Sequence, residues 1–257
     1  MVYTCYEMIG DCRAAKPEGW RYFISNYIPV MRTLAAHYNP GSDGDRLIER
    51  VLTEIRRPAH PLFASLDPAP ERWFIARLRQ TMLVEISAAE PEMEVSLETV
   101  AEALAPLTLT QKLAAWLEAM GYDAAAAGAM LRMAPATVEK ARVQAGEALR
   151  GKIDNWSRTL LIENGRRLGK AAAGASTKDC VGPKVFLDVL DGRATWQGRE
   201  EMERHAGACW HCIDHFARMA EVIELLRGLK PLDDSEAAPW LKAIGVSQPR
   251  KSFWKRP

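Results

Sequence analysis

The stretch LTLTQKLAAWLEAMGYDAAAAGAMLRMAPATVEKARVQAGEALR, residues 107–150, decides the fold class. Its apolar residues recur three and four positions apart, which gathers them on one face of a helix and does not fit the two-residue alternation of a half-buried strand. Thr110 is placed to cap a first helix, Gly121 to end it and Asp123 to cap a second, and a third starts near Pro135. Ala125, Leu131 and Val138 are expected to pack where the last two helices meet. Two short helices joined by a tight turn read as a helix-turn-helix, with 135–150 as recognition helix. Ala136, Thr137, Glu139 and Lys140 would then lie nearest to base edges, and Arg142 would be available to phosphate. A plain helical hairpin without DNA contact fits the same pattern.

The same periodicity runs outward in both directions, so the expected fold is all-α, built from three small helical units. The first covers 1–90, with helical stretches over 17–37, 45–57 and 71–87. A linker or helix follows over 91–106, its start marked by EPEMEV around Pro91. The second unit is 107–164, with the helical pattern continuing past Arg150 through Trp156 and Leu160. GRRLGKAAAGASTK, 165–178, reads as a flexible connection to a third unit over 179–257, which ends in the cationic, solvated tail KSFWKRP.

Composition bounds the function. The chain has 257 residues, 48% apolar and 26% charged, which supports real cores and excludes disorder and a collagen-like repeat. Lys and Arg number 34 against 33 Asp and Glu, so there is no global cationic field for a nucleic acid or an anionic membrane. Residues 107–170 carry 10 cationic side chains against 6 acidic ones, which makes them the first place to seek a DNA contact. With no long apolar run and no leader-like start, the chain is expected to be cytoplasmic, without a membrane partner. No phosphate loop and no helical His pair with an intervening Glu is present, so no enzymatic activity is expected.

Five cysteines in a chain of this length do not suggest a disulfide scaffold. HAGACWHC, 205–212, sets His205, Cys209 and Cys212 at i, i+4 and i+7, on one face of a helix or of a helix entered through a turn. Cys180, beyond one expected helix and the Asp191-Gly192 turn, is the fourth donor. Cys180, His205, Cys209 and Cys212 would close a tetrahedral zinc site with no open position, suited to building structure rather than to hydrolysis. His211 or His215 could replace a ligand. The cysteines also fit as small buried hydrophobes, with His205 on the charged surface of REEMERH, and Cys209-Trp-His-Cys212 fits a catalytic dithiol.

Cys180, followed by VFLDVLDG and EMERHAGACWHC, resembles the zinc-binding anti-sigma domain. That family clasps a sigma factor and blocks its access to RNA polymerase, and in some members thiol oxidation expels the zinc. The stretch 107–150 is similar to region 4 of extracytoplasmic-function sigma factors, which reads the minus-35 element. The match runs through Leu107, Thr110-Gln111, Leu117, Gly121-Tyr122, Leu131, Ala136-Thr137-Val138, Ala145 and Leu149-Arg150. Glu139, Ala141, Gln144 and Gly146 stand where that family usually carries basic residues. The order of the three N-terminal pieces resembles region 2. On this resemblance Asp45, Leu47, Ile48 and Glu49 would meet core RNA polymerase, and Trp73, Phe74, Arg77 and Arg79 would hold melted promoter DNA by stacking and charge. For Trp73 and Phe74, core packing fits equally well.

Together these resemblances imply a sigma factor of the extracytoplasmic-function type, regulated in cis by a fused zinc domain that folds back on the sigma-like units and inhibits them. The competing expectation is a zinc-containing adaptor or anti-sigma-type regulator that has lost promoter recognition.

Overall fold

The computed structural model describes residues 3–64, 71–86 and 95–246. Among these residues the fold is all-α, with fourteen helices and no strand. In chain order they are α1 (Cys5–Arg13), α2 (Pro17–Tyr38), α3 (Gly44–Ile55), α4 (Pro61–Ala64), α5 (Glu71–Ile86), α6 (Leu97–Leu104) and α7 (Leu109–Ala119). There follow α8 (Ala124–Leu131), α9 (Pro135–Arg150), α10 (Arg158–Gly174), α11 (Pro183–Leu190), α12 (Trp196–Ala206), α13 (Trp210–Arg227) and α14 (Asp234–Ala243). No described helix is long and apolar enough to cross a membrane. The linker expected around Pro91 and the tail KSFWKRP lie outside the described residues.

The chain forms two compact units, one from Met1–Ala89 with Leu225–Pro257 and the other from Glu90–Glu224. In the first, α2 is the spine. Pro17 opens it with a preset φ at a position where no N–H is needed, and its apolar stripe, Trp20, Phe23, Ile24, Tyr27, Ile28, Met31 and Leu34, is buried throughout. α1, α3, α5 and α14 all pack on it. The Phe74 ring lies 4.9 Å from Tyr27, 6.0 Å from Phe23 and 5.9 Å from Phe63, in tilted and edge-on arrangements that aromatic quadrupoles favour. α14, capped by the Asp233–Glu236 box, reaches α2 through Trp240, whose ring lies under the Arg32 guanidinium at 5.4 Å, and the Leu232 N–H donates to the Ser25 carbonyl at 2.8 Å.

In the second unit α7, α8 and α9 pack on one another. Asp123 caps α8 and Pro135 opens α9, as the sequence indicates. The cap of α7 is Thr108, not Thr110. Thr108 closes a box with Gln111, and a capping hydroxyl must lie three residues before its partner N–H, which Gln111 specifies. Gly121, with φ +87°, turns the chain in the left-handed region after α7. The packing residues of α8 are Ala127, Gly128 and Met130, whereas Ala125 is exposed and Leu131 only half-buried. α9 stops at Arg150, and the chain restarts as α10 at Arg158 under the Ser157 cap.

Residues 165–178, expected as a flexible connection, are helical up to Gly174 and pack on α7 and α6. Leu161, Asn164, Gly165, Leu168 and Ala172 make the inner face, and Gly165 lies so close to Ala119 that a Cβ there would sit 1.7 Å from the Ala119 carbonyl oxygen. Small residues that read as a linker are in this helix the condition for close backbone approach.

Candidate metal centre

Cys180, His205, Cys209 and Cys212 come together from three places in the second unit. Cys180 lies in the turn between α10 and α11, His205 in the last turn of α12, and Cys209 and Cys212 at the start of α13. The arrangement is a helix entered through a turn. The Ala208 N–H bonds to the His205 carbonyl at 3.0 Å, and the Cys209 carbonyl accepts the Ile213 N–H at 3.0 Å, opening α13. That places two sulfurs at a helix N-terminus.

All four donor atoms lie within 4.8 Å of one another. The Cys180 and Cys209 sulfurs are 3.8 Å apart, far beyond a disulfide and matching the roughly 3.8 Å separation of two thiolates each about 2.3 Å from a shared tetrahedral ion. The His205 Nε2 is buried and has no hydrogen-bond partner. A buried ring nitrogen left unpaired costs free energy unless something completes it, and among these donors a metal ion does so. The residues therefore fit a metal such as zinc.

Backbone groups prepare the sulfurs. The Thr177 N–H reaches Cys180 Sγ at 3.2 Å and the Val181 N–H reaches Cys212 Sγ at 3.4 Å. Burial pushes the Cys180 thiol up, but hydrogen bonds from the Thr177 backbone and hydroxyl, with Cys209, outweigh it and bring it down to about 6. Cys212, more deeply set, is pushed up by burial and by the neighbouring sulfurs despite the Val181 N–H.

His211 and His215 stand outside the quartet. His211 Nδ1 is 3.2 and 3.1 Å from the Ala172 and Ala173 carbonyls at the end of α10, and the His215 ring lies 5.3 Å from Phe186. Cys209 and Cys212 share their surroundings with Cys180 and His205, two further donors that could hold a metal ion.

Around the quartet, α13 meets α7 through contacts that sequence reading did not indicate. The Trp210 ring is 5.1 Å from that of Trp116 on α7, and Trp116 Nε1–H donates to Asp214 Oδ1 at 3.2 Å. The buried Lys112 ammonium donates to the carbonyls of Gly207, at 2.6 Å, and Ala105, at 3.2 Å. Gly207 belongs to the turn joining His205 to Cys209. Tyr122 bonds to Glu221, and Arg218 pairs with Asp214 at 2.6 Å. Aromatic residues flanking the motif, such as Trp210, were the available signal.

The other expected site residues divide into exposed and structural. On α9, Ala136, Thr137 and Lys140 are exposed. Glu139 is gripped by Arg158 at 2.8 Å, a hydrogen bond that holds its carboxyl below the ordinary carboxylate range against the opposing effect of burial. Arg142 is not available to phosphate. It is 4% exposed, and its guanidinium donates to the carbonyls of Ala114, Tyr122 and Asp123 at 3.3, 2.8 and 3.3 Å.

In the first unit Phe74 is fully buried in the aromatic core, and Arg79, 3% exposed, donates to the Tyr38 hydroxyl at 2.6 Å. Neither is open to a flipped base. Trp73 and Arg77 are half-buried. Leu47 and Ile48 are core residues, Asp45 is held by Arg32 at 3.1 Å, and Glu49 is exposed. For Phe74, Leu47 and Ile48 the physical reason is the same: on an amphipathic helix the apolar positions that imitate a binding motif are those the core takes first.

No family model, curated protein or solved structure matches this chain.

Proposed function

We propose that the chain is a transcription initiation factor of the extracytoplasmic-function sigma type, which binds core RNA polymerase and promoter DNA and is regulated in cis by a zinc-holding anti-sigma-like module. It acts by binding, in the cytoplasm, and catalyses no reaction. The observation that carries this reading is the Cys180, His205, Cys209 and Cys212 quartet, with its helix α13 seated on α7 of a helix-turn-helix frame. Zinc would be held by these four residues as a closed structural centre, joining the turn before α11 to the start of α13. Inhibition would follow from what that joint fixes. Lys112 and Trp116 tie α7 to the metal-bearing turn and to α13, so the frame is held in one arrangement while the centre is intact. Contact through a packed interface replaces the flexible tether that sequence composition suggested.

One observation favours the second reading, an adaptor that no longer reads promoters. With Arg142 buried, the exposed cations of α9 are Lys140 and Arg150, few for a helix that must hold phosphates.

Transcription by purified core polymerase with the full chain, zinc-loaded and zinc-stripped, tests both. The sigma reading expects promoter-dependent transcripts that increase when zinc is removed. The adaptor reading expects polymerase binding with no promoter-dependent transcript. Binding to neither polymerase nor promoter DNA would overturn both.

A further inference from the structure

The first unit contains a cavity of about 450 Å3 between the α1–α2 turn, the α3–α4 turn and the residues just after α14. Its volume falls within the roughly 300–1,000 Å3 usual for small-molecule sites. The interior is apolar: Cys12, Trp20, Ile55 and Phe63 line it and are all buried, and the Trp20 and Phe63 rings stand 5.5 Å apart, edge to face. The mouth is cationic. Arg13, Arg56 and Arg57 are exposed there, and no Asp or Glu belongs to the described lining.

Each cation is positioned. Arg56 lies over the Trp20 ring at 5.9 Å, so a charge sits directly beside the aromatic wall. Arg57 meets Glu54 at 2.8 Å but remains 68% exposed, leaving its fork largely free for a second acceptor. Arg13 has no ion pair among the described residues. His60 accepts the Leu62 N–H on Nδ1 at 3.1 Å, so its neutral ring carries the proton on Nε2 as a further donor. The turns that hold these groups pass through Ala15 and Ala59, with φ of 55° and 60°, a left-handed conformation that a Cβ resists.

An apolar interior selects against inorganic anions, and a mouth of arginines selects against neutral apolar molecules. We propose that this cavity binds a small organic carboxylate with a flat apolar body. The body stacks against Trp20 and Phe63, and the carboxylate takes paired N–H groups from the arginines at the mouth. The site is separate from the metal centre and independent of the function proposed above.

Calorimetric titration of the full chain tests the proposal with three probes: 2-naphthoate, its neutral counterpart 2-naphthalenemethanol, and inorganic phosphate. One naphthoate binds per chain, the alcohol binds at least tenfold more weakly, and phosphate alone gives no binding. Charge reversal by Arg13→Glu with Arg57→Glu, both exposed positions, weakens naphthoate at least tenfold and leaves the alcohol unchanged. Ala64→Trp, placed at the lining, abolishes binding of both, with an unchanged melting temperature showing that the variants remain folded. No naphthoate binding by the full chain would overturn the proposal. So would equal affinity for the alcohol or for phosphate, or an affinity indifferent to the charge reversal.

Discussion

The guanidinium of Arg142 shows how a single residue changes meaning between sequence and structure. In sequence it is one of three cations on a recognition helix. In the structure it is a structural clamp whose donors serve three backbone carbonyls around the α7–α8 turn. Arg142→Ala should therefore lower stability by about 2–4 kcal/mol, because a buried side chain and its hydrogen bonds to three carbonyls are lost together, and a denaturant titration will read it. A stability equal to wild type, with only DNA affinity reduced, would restore the phosphate role. His215 behaves differently. Burial, with His211 and Arg218 nearby, pulls it down to about 4, so the folded protein declines a proton that the unfolded chain takes up near 6.5. Stability from this residue is complete above about pH 6.5 and is lost as pH falls towards 4, by about 1 kcal/mol between pH 7 and 5 after allowing for partial exposure. His215→Gln should lack that decline, and parallel stability–pH curves for the two proteins would contradict it. The burial of both residues was hidden from the sequence, since it depends on neighbours far away along the chain. The gathering of His205, Cys209 and Cys212 was legible, because their spacing at i, i+4 and i+7 is a local property, and Cys180 was legible as a further donor across one helix and turn.

Among the elements, helix starts were legible where one residue type fixes them, as Asp123 and Pro135 do, and illegible where composition misleads. The Gly- and Ala-rich run of α10 reads as a linker only because nothing in the sequence shows that α7 lies against it. Gly165→Ala brings a methyl into the Ala119 carbonyl and should cost 2 kcal/mol or more, roughly the penalty for overpacking a rigid contact. Thermal melting checks it, and an unchanged midpoint would mean that α10 is free of α7. The join between α7 and the turn from His205 to Cys209 makes a second claim at this scale. Lys112→Met keeps most of the apolar stem but removes its bonds to Gly207 and Ala105. Zinc transfer to a colorimetric chelator should then be faster by roughly tenfold, the effect of losing a charge-assisted hydrogen bond. A release rate unaffected by the substitution would show that the turn does not depend on α7.

For the molecule as a whole, the sequence order of three helical regions is not the grouping that the chain adopts. The stretch 179–257 divides, its early part belonging to the second unit with α7, α8 and α9, and α14 to the first with α2. Composition gave no sign of this, because Trp240 and Leu241 form a short apolar face that fits many surfaces. Deleting 179–257 would consequently strip partners from Trp116 and from α2 together, and zinc removal is the cleaner perturbation. The central claim is that one ion held by Cys180, His205, Cys209 and Cys212 organises the second unit. Its most direct test is the metal content of purified full-length protein by mass spectrometry, for wild type beside Cys180→Ser and Cys209→Ser. The account predicts one zinc per wild-type chain and its loss from both variants, with a fall in the melting temperature. A folded wild-type chain that carries no metal and gains no stability from added zinc would contradict it, as would zinc retained by both variants.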